Sequence, residues 1–309
     1  MTTNSISIII PAYNEGQNIG SVVQQIRALH PGAEIIVIDD GSSDHTAQIA
    51  FAAGAKVYAH PYNIGNGAAV KSGIRVAYGD ILVFMDGDGQ HDPTEINSML
   101  AFLPEYDMVV GARTHRGQAS IGRALGNRFY NWFASYVAKF RVEDLTSGFR
   151  AIKADLAKSF LYLLPNTYSY PTTLTLGVLR SGRSVKYVPI RALARKKGKS
   201  KIRFFQDGAR FFMIIVKICT LYSPMRVFLP VSFLMFLLGV AWYVFTFITE
   251  GRFTNMSALL ITTAIMIFMI SLISEQVSQM RFERRSSERA RALPVAVDEK
   301  PATRDATQT

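Results

Sequence analysis

Acidic residues recur where short apolar runs end. Pro11-Ala12-Tyr13-Asn14-Glu15 closes one run, Asp39-Asp40-Gly41-Ser42 a second, Asp86-Gly87-Asp88-Gly89-Gln90-His91 another, and Gly111-Ala112-Arg113 a last. The everyday role of an acid at such a place is to cap a helix. Asp92 suits that role, with Pro93 at the first helical position and Glu95 three residues on. One helix needs one cap, so Asp86 and Asp88 are left for other work. Two carboxylates two residues apart can meet a hard divalent cation that also holds a diphosphate, because the cation takes oxygen ligands and neutralises phosphate charge. Cysteine chemistry is excluded more simply. The single cysteine, Cys219, rules out an intramolecular disulfide and a cysteine-clustered zinc site, and the five histidines show no paired metal-ligand spacing.

Such residues need a scaffold that delivers strand ends to one edge. Ser5–Pro11, Glu34–Asp39, Lys56–Ala59, Ile81–Asp86 and Met108–Gly111 read as strands, while Ile19–Leu29, His45–Ala53, Gly67–Tyr78 and Thr94–Leu103 carry helical spacing. Continuous apolar strands separated by helices predict a largely parallel sheet buried on both faces. Ligands of such sheets bind at the carboxyl ends of the strands, where the acids stand.

The chain has 309 residues, with 34 Lys+Arg against 23 Asp+Glu and a net charge of +11, and its 18% of charged residues falls below the roughly 25% usual for soluble domains. The deficit is local, since Phe204 to Met280 holds only seven charges. This argues against a purely soluble enzyme, and the near-normal first two hundred residues argue against a polytopic transporter. Residues 227–249 and 253–274 are uncharged, and each is long enough as a helix to cross a hydrocarbon core of about 30 Å. Glu250–Asn255 is short enough to make them a tight hairpin. Lys and Arg are dense from Arg191 to Arg203 and again at Arg281, Arg284, Arg285, Arg289 and Arg291, whereas the connector holds only Arg252. The positive-inside rule therefore puts both ends in the cytoplasm, and Met1 to Ser7 lacks a signal-peptide pattern. Phe204–Tyr222 suits an amphipathic helix lying in the membrane interface, and beyond about Arg289 the tail reads as disordered. The expected division is 1–203 catalytic domain, 204–226 interfacial helix, 227–274 transmembrane helices and 275–309 tail. The basic run from Arg191 to Arg203 lacks interleaved aromatics and adjoins a predicted membrane, so diphosphates and anionic headgroups fit it better than nucleic acid.

Pro11-Ala12-Tyr13-Asn14-Glu15, Asp39-Asp40-Gly41-Ser42, Asn63-Ile64-Gly65-Asn66-Gly67, Asp86-Gly87-Asp88-Gly89-Gln90-His91, Ser147-Gly148-Phe149-Arg150 and Gly198-Lys199-Ser200-Lys201 occur in this order. Together they resemble a family 2 glycosyltransferase, in the branch similar to dolichol-phosphate mannosyltransferase and bacterial undecaprenyl-phosphate sugar transferases. The likeness covers about residues 5–205, and the paired C-terminal helices also resemble bacterial members. It implies an α/β fold of GT-A type, mostly parallel and flanked by helices, followed by the interfacial helix and a two-helix transmembrane hairpin. It implies a nucleotide-diphosphate sugar as donor, inverting transfer to a polyprenyl phosphate, and magnesium or manganese as cofactor. Carried over by residue, Pro11, Tyr13, Glu15 and Asp39 hold the nucleoside with Asp40 close by, and Lys71 approaches the nucleotide or diphosphate. Asp86, Asp88 and Gln90 take the metal, and Arg113, Arg123 and Asn127 receive the lipid phosphate. Arg195, Ser200 and Lys201 belong to a basic loop that closes over the diphosphate, with Gly198 as its hinge.

A lipid monophosphate is already ionised near neutral pH, so its oxygen can attack the anomeric carbon without a protein base. What remains is to align attacker and donor and to stabilise the departing diphosphate. Arginine suits the acceptor phosphate because its planar fork binds two oxygens at once. Asp144 is a candidate catalytic position, to orient the acceptor or act as base, against the plainer reading of a turn cap or salt bridge. For Arg150 the salt bridge is the expectation. The alternatives are transfer to a different lipid, which would need a base for its hydroxyl, and a non-catalytic scaffold that binds nucleotide sugars. The expected partners are the donor, the polyprenyl phosphate and the bilayer of the cell's inner membrane, with no nucleic acid, and the resemblance allows a homo-oligomer through the membrane helices.

Overall fold

In the computed structural model, which describes residues 5–113, 131–136, 138–190, 216 and 224–292, Ile8, Ile9 and Ile10 are all fully buried. They belong to strand β1 (Ile6–Ala12), whose consecutive apolar residues mark a strand covered on both faces. Strands β2 (Glu34–Asp39) and β4 (Ile81–Phe84) flank it in parallel, and β3 (Lys56–Ala59) adds to β2 as a largely exposed edge. Helices α1 (Ile19–Leu29), α2 (Thr46–Ala52) and α3 (Asn66–Val76) connect them. In α1 the buried residues Ile19, Val22, Val23 and Ile26 fall on one stripe, as an amphipathic helix on a sheet requires.

A short 3-10 turn (Pro93–Glu95) and α4 (Ile96–Leu100) lead into β5 (Met108–Arg113). Asp92 accepts a hydrogen bond from the Thr94 amide, the capping role read from the sequence. The expected helix Thr94–Leu103 is shorter in the structure, because Pro104 disfavours helical backbone at the residue before it. Beyond β5 come β6 (Arg150–Lys153), α5 (Ala154–Phe160), α6 (Tyr170–Arg180) and β7 (Val185–Ile190). The sheet order is β3-β2-β1-β4-β6-β5-β7. Strands β6 and β7 are absent from the sequence reading.

Strand β6 runs antiparallel between β4 and β5, with Arg150 opposite Phe84 and Val110. That reversal decides where the site can be built. An antiparallel strand begins where its neighbours end, so the segment leading into Arg150 lies at the carboxyl edge together with the exits of β1, β2, β4 and β5.

The chain divides into two units, Met1–Tyr222 and Ser223–Thr309. In the second, α7 (Pro224–Glu250) and α8 (Asn255–Ala292) contain apolar spans with hydropathies of 2.2 and 2.4, long enough to cross a membrane. They pack along small residues at seven-residue intervals: Ser232, Gly239 and Thr246 on α7, Ser257, Ala264, Ser271 and Ser278 on α8, all buried. The Ser232 hydroxyl donates to the Ala264 carbonyl at 2.8 Å, and a Cβ on Gly239 would stand 2.9 Å from Ile261. Phe233, Leu238, Phe245, Met266 and Ile273 are exposed. Small residues inside and large apolar ones outside is the arrangement of helices that pair in lipid.

Candidate active site

The exits of β1 and β2 are laced together before any ligand is considered. Asn14, at φ 54°, donates its amide to Ser42 Oγ at 2.9 Å and accepts from the Ser43 amide at 2.8 Å. Asparagine tolerates that left-handed backbone better than most side chains. The Glu15 amide donates to Thr46 Oγ1 at 2.9 Å, and Asp44 receives the Gly16 amide at 3.1 Å. Asp39 accepts from both the amide and the hydroxyl of Ser42. Pro11 and Asp39 are buried, and Tyr13 and Glu15 are half-buried on the same edge. The structure thus gathers the four residues expected to hold the nucleoside.

Asp40 is occupied differently. Its carboxylate is 2% exposed and accepts the amides of Ile64 at 3.0 Å and Gly65 at 2.8 Å, while His60 Nδ1 lies 2.7 Å away. His60 Nε2 in turn meets Ser72 Oγ at 2.9 Å. Asp40 therefore braces the glycine turn that opens α3. Lys71, on α3, bonds to the Asn166 side chain, and burial followed by the charge of Arg75 holds its ammonium below the ordinary lysine value. The family resemblance points Lys71 to the nucleotide or diphosphate, against the plainer reading of a solvated helix lysine, and gives no role to Asn166.

After β4 the chain turns through Asp86, Gly87, Asp88, Gly89 and Gln90, with Gly89 at φ 74°. Asp88 Oδ1 accepts the Gln90 amide at 3.1 Å, which folds the turn back on itself. A Cβ on Gly148 would stand 2.9 Å from Asp86 Oδ2, so the carboxylate lies in a cradle that any side chain would fill. His91 is buried, stacks on Phe149 at 4.9 Å between centroids, and its Nδ1 accepts the Asp86 amide at 3.4 Å. Burial above all lowers the His91 pKa to about 4, with Asp88 opposing it, so the ring is neutral near pH 7. Among the described residues no three His, Cys, Asp or Glu side chains group around a metal position. Two carboxylates and an amide fit a hard cation whose other ligands are diphosphate oxygens, and not a closed structural metal site.

Arg113, the last residue of β5, is gripped by Asp144. Nε donates to Oδ2 at 2.8 Å, Nη2 to Oδ1 at 3.0 Å and also to Thr146 Oγ1 at 2.7 Å. Burial pulls the Asp144 carboxyl upward, but Arg113 and the amides of Arg113 and Thr146 outweigh it and hold it below the usual carboxylate range. Asp144 thus makes the salt bridge and caps the turn that the plainer reading names. Its hold on Nε and Nη2 leaves the Nη1 edge of a guanidinium that is 38% exposed. Asp86 lies within electrostatic reach of Arg113, and Asp88, Arg113 and Asp144 within that of His91. The paired carboxylates and the arginine therefore share one site.

Arg150 overturns the expectation of a salt bridge. It is completely buried, and Nη1 donates to the Pro171 carbonyl at 3.0 Å and to Thr175 Oγ1 at 3.1 Å, while Nη2 donates to the Ser147 carbonyl. All of these acceptors are neutral. Arg123, Asn127, Arg195, Ser200, Lys201 and the expected interfacial helix 204–226 lie outside the described residues, apart from Val216 and from Pro224, Met225 and Arg226, which begin α7.

Residues 7–160 match Glycosyl transferase family 2, and residues 223–280 match the GtrB C-terminal hairpin. Polyprenol monophosphomannose synthase of Mycolicibacterium smegmatis is 30% identical over 217 residues, 65% of this chain and 82% of that one. Undecaprenyl-phosphate mannosyltransferase of Micrococcus luteus is 27% identical over 208 residues, 63% of this chain and 86% of the other. A putative glycosyltransferase of Bacillus subtilis is 26% identical over 308 residues, covering 92% of this chain and 89% of its own length. Among solved structures, glucosyl-3-phosphoglycerate synthase of Mycobacterium tuberculosis, in complex with Mn2+, UDP and glucosyl-3-phosphoglycerate, superposes with a TM-score of 0.58 at 23% identity, over 70% of this chain and 80% of that one. That likeness is one of fold, and it is the GT-A type of α/β sheet expected from the motifs.

Proposed function

Since the chain belongs to glycosyl transferase family 2, we propose that it moves a sugar, with inversion, from a nucleotide-diphosphate sugar to the phosphate of a polyprenyl lipid of the undecaprenyl or dolichyl kind. The transfer takes place at the cytoplasmic face of the cell membrane, to which the α7–α8 hairpin anchors the enzyme. The observation that carries this reading is the shared site of Asp86, Asp88 and the Asp144-held Arg113 at the carboxyl edge of the sheet. Relatives named for polyprenyl phosphates support the acceptor class.

Pro11, Tyr13, Glu15 and Asp39 line the place of the nucleoside, and Asp40 keeps the neighbouring glycine turn in shape. Asp86, Asp88 and Gln90 hold magnesium or manganese, which supplies positive charge to the diphosphate. A fold relative bound to Mn2+ with UDP agrees with that choice. Arg113 offers Nη1 to the acceptor phosphate while Asp144 fixes the plane of the guanidinium. One phosphate oxygen forms the bond to the anomeric carbon, the bond from that carbon to the diphosphate breaks, and the nucleotide diphosphate leaves with the electron pair. A carboxylate held below its usual range and committed to arginine is a poor base, which favours an ionised phosphate over a lipid hydroxyl as acceptor. Arg123 and Asn127 complete the acceptor site, and Arg195, Ser200 and Lys201 close over the donor.

Membranes containing the protein, given a divalent cation, polyprenyl phosphate and labelled GDP-mannose, UDP-glucose, UDP-N-acetylhexosamine or an aminoarabinose donor, should yield an acid-labile glycosyl lipid from one of them. Asp88→Ala should abolish that product and leave membrane insertion intact. No labelled lipid from any donor, or full turnover in Asp88→Ala, overturns the reading.

A further inference from the structure

Arg150 is an expensive residue to place where it is. A guanidinium with no exposed surface loses its hydration, and here only neutral acceptors replace the water. Its Nε has no hydrogen-bond partner at all. Burial pulls its pKa down, opposed by Tyr170 and Tyr187 and then by Asp144 and Asp86, so the buried charge lies within electrostatic reach of the acids of the site. The strand pairing explains how it got there. Arg150 stands opposite Phe84, the last residue of β4, two residues before Asp86.

What Arg150 grips is the segment that touches everything else. Its Nη2 holds the Ser147 carbonyl, which fixes the next residue, Gly148, with its Cα against Asp86. The following residue, Phe149, stacks on His91, and His91 accepts the amide of Asp86. A few residues earlier in the same segment, Asp144 and Thr146 hold Arg113. Residues 144–150 are therefore a single brace that spans from the acceptor arginine to the metal-binding turn. Its far end is tied to α6 through the Pro171 carbonyl and Thr175.

We infer that Arg150 is a positioning residue for the metal site: pinned to α6, it holds Gly148 against Asp86 and so sets where the Asp86 carboxylate can meet the cation. It touches neither donor nor acceptor and acts through the backbone of Ser147 and Gly148. The inference rests on the assignment of Asp86 and Asp88 as metal ligands. Gly148 carries the same function from the other side, since adding a methyl group there pushes directly on Asp86 Oδ2.

The test uses the full chain in detergent, with Mn2+ alone titrated and bound metal read by electron paramagnetic resonance. Thermal unfolding is measured in parallel. Supports of metal ligands typically cost 10- to 100-fold in metal affinity when altered, so Gly148→Ala and Arg150→Lys should each weaken Mn2+ binding about 10-fold or more. The cation concentration for half-maximal transfer should rise in step. Asp88→Ala serves as the reference that removes a ligand outright. If the wild type binds Mn2+, Asp88→Ala does not, and both Gly148→Ala and Arg150→Lys bind it as the wild type does, the positioning role is overturned and Arg150 only stabilises the fold. If wild type and Asp88→Ala bind Mn2+ alike, the metal assignment itself fails. Should Arg150→Lys not fold, unaltered Mn2+ affinity in Gly148→Ala is still enough to overturn the inference.

Discussion

At the scale of single residues, the site depends on which charges are committed inside the protein and which face outward. Asp144 is committed, and its consequence is a pH dependence. The folded carboxyl titrates below the usual carboxylate range, so its contribution to stability is complete above that range. The contribution is lost as pH falls through the ordinary carboxylate pKa and on towards the folded one. Asp144→Asn should cost about 1–2 kcal/mol near pH 7, less than a fully buried pair because Arg113 is partly solvated, and should flatten the acid limb of thermal stability against pH. Its transfer rate should fall with a raised KM for the lipid phosphate. An acid limb identical to wild type would show that the clamp contributes nothing to folding. The residues of this site were unevenly legible. Asp86 and Asp88 stand out in the sequence by type and spacing, and Gln90 beside them by the family resemblance. His91 stood in the same stretch without a role, because its purpose depends on Phe149, which only the antiparallel β6 brings beside it. For Arg150 the sequence suggests only a salt bridge, since nothing in a sequence reveals that a charged side chain will be fully enclosed among neutral acceptors.

At the scale of elements, apolar continuity found five of the seven strands and missed β6 and β7 for identifiable reasons. Strand β6 is four residues long, begins with arginine and ends with lysine, so it offers no apolar run. Helix α6 is buried from Tyr170 to Val178 and has no polar face to set a period. Strand β7, Val-Lys-Tyr-Val-Pro-Ile, alternates its burial over Val185–Val188 and then breaks the period at the exposed Pro189, which hides it from a reading by period two. The apolar hairpin is legible from its lack of charge, but its seam is not, because serine, glycine, threonine and alanine at sevenfold spacing vanish in an average of hydropathy. That seam makes its own prediction. In a Cys219→Ser background, Ser232→Cys with Ala264→Cys should form a disulfide in membranes under mild oxidation, as the Ser232 hydroxyl already reaches the Ala264 backbone. Adding Gly239→Leu should largely abolish the cross-link, since even a Cβ at that position meets Ile261 at 2.9 Å and Leu260 at 3.1 Å. A cross-link indifferent to Gly239→Leu would mean that the helices pair along another face.

For the whole molecule, the net charge of +11 is intelligible only through its distribution. A soluble enzyme with this excess would attract polyanions on all sides. Here the cations concentrate before and after the apolar hairpin, and the connector between its helices holds Arg252 with Glu250 2.9 Å away, a local pair with no net charge. A polyprenyl chain stays in the bilayer and its phosphate in the headgroup layer, so an enzyme acting on it gains from a membrane anchor whichever sugar it carries. The proposed nucleotide-sugar donor, being cytosolic, would further require the catalytic unit on the cytoplasmic side. On the proposed reading, two crossings return the chain to the side from which it started, with the short connector on the opposite face. In a Cys219→Ser background, Thr254→Cys should react with a membrane-impermeant maleimide on intact cells stripped of outer barriers. Thr303→Cys should react only after the membrane is permeabilised. Labelling in the reverse order would invert the topology and place the catalytic unit away from its donor. Equal protection of both positions in intact cells would mean that the hairpin does not cross the membrane, and the two apolar helices would have to be re-read as a pair that rests within one leaflet.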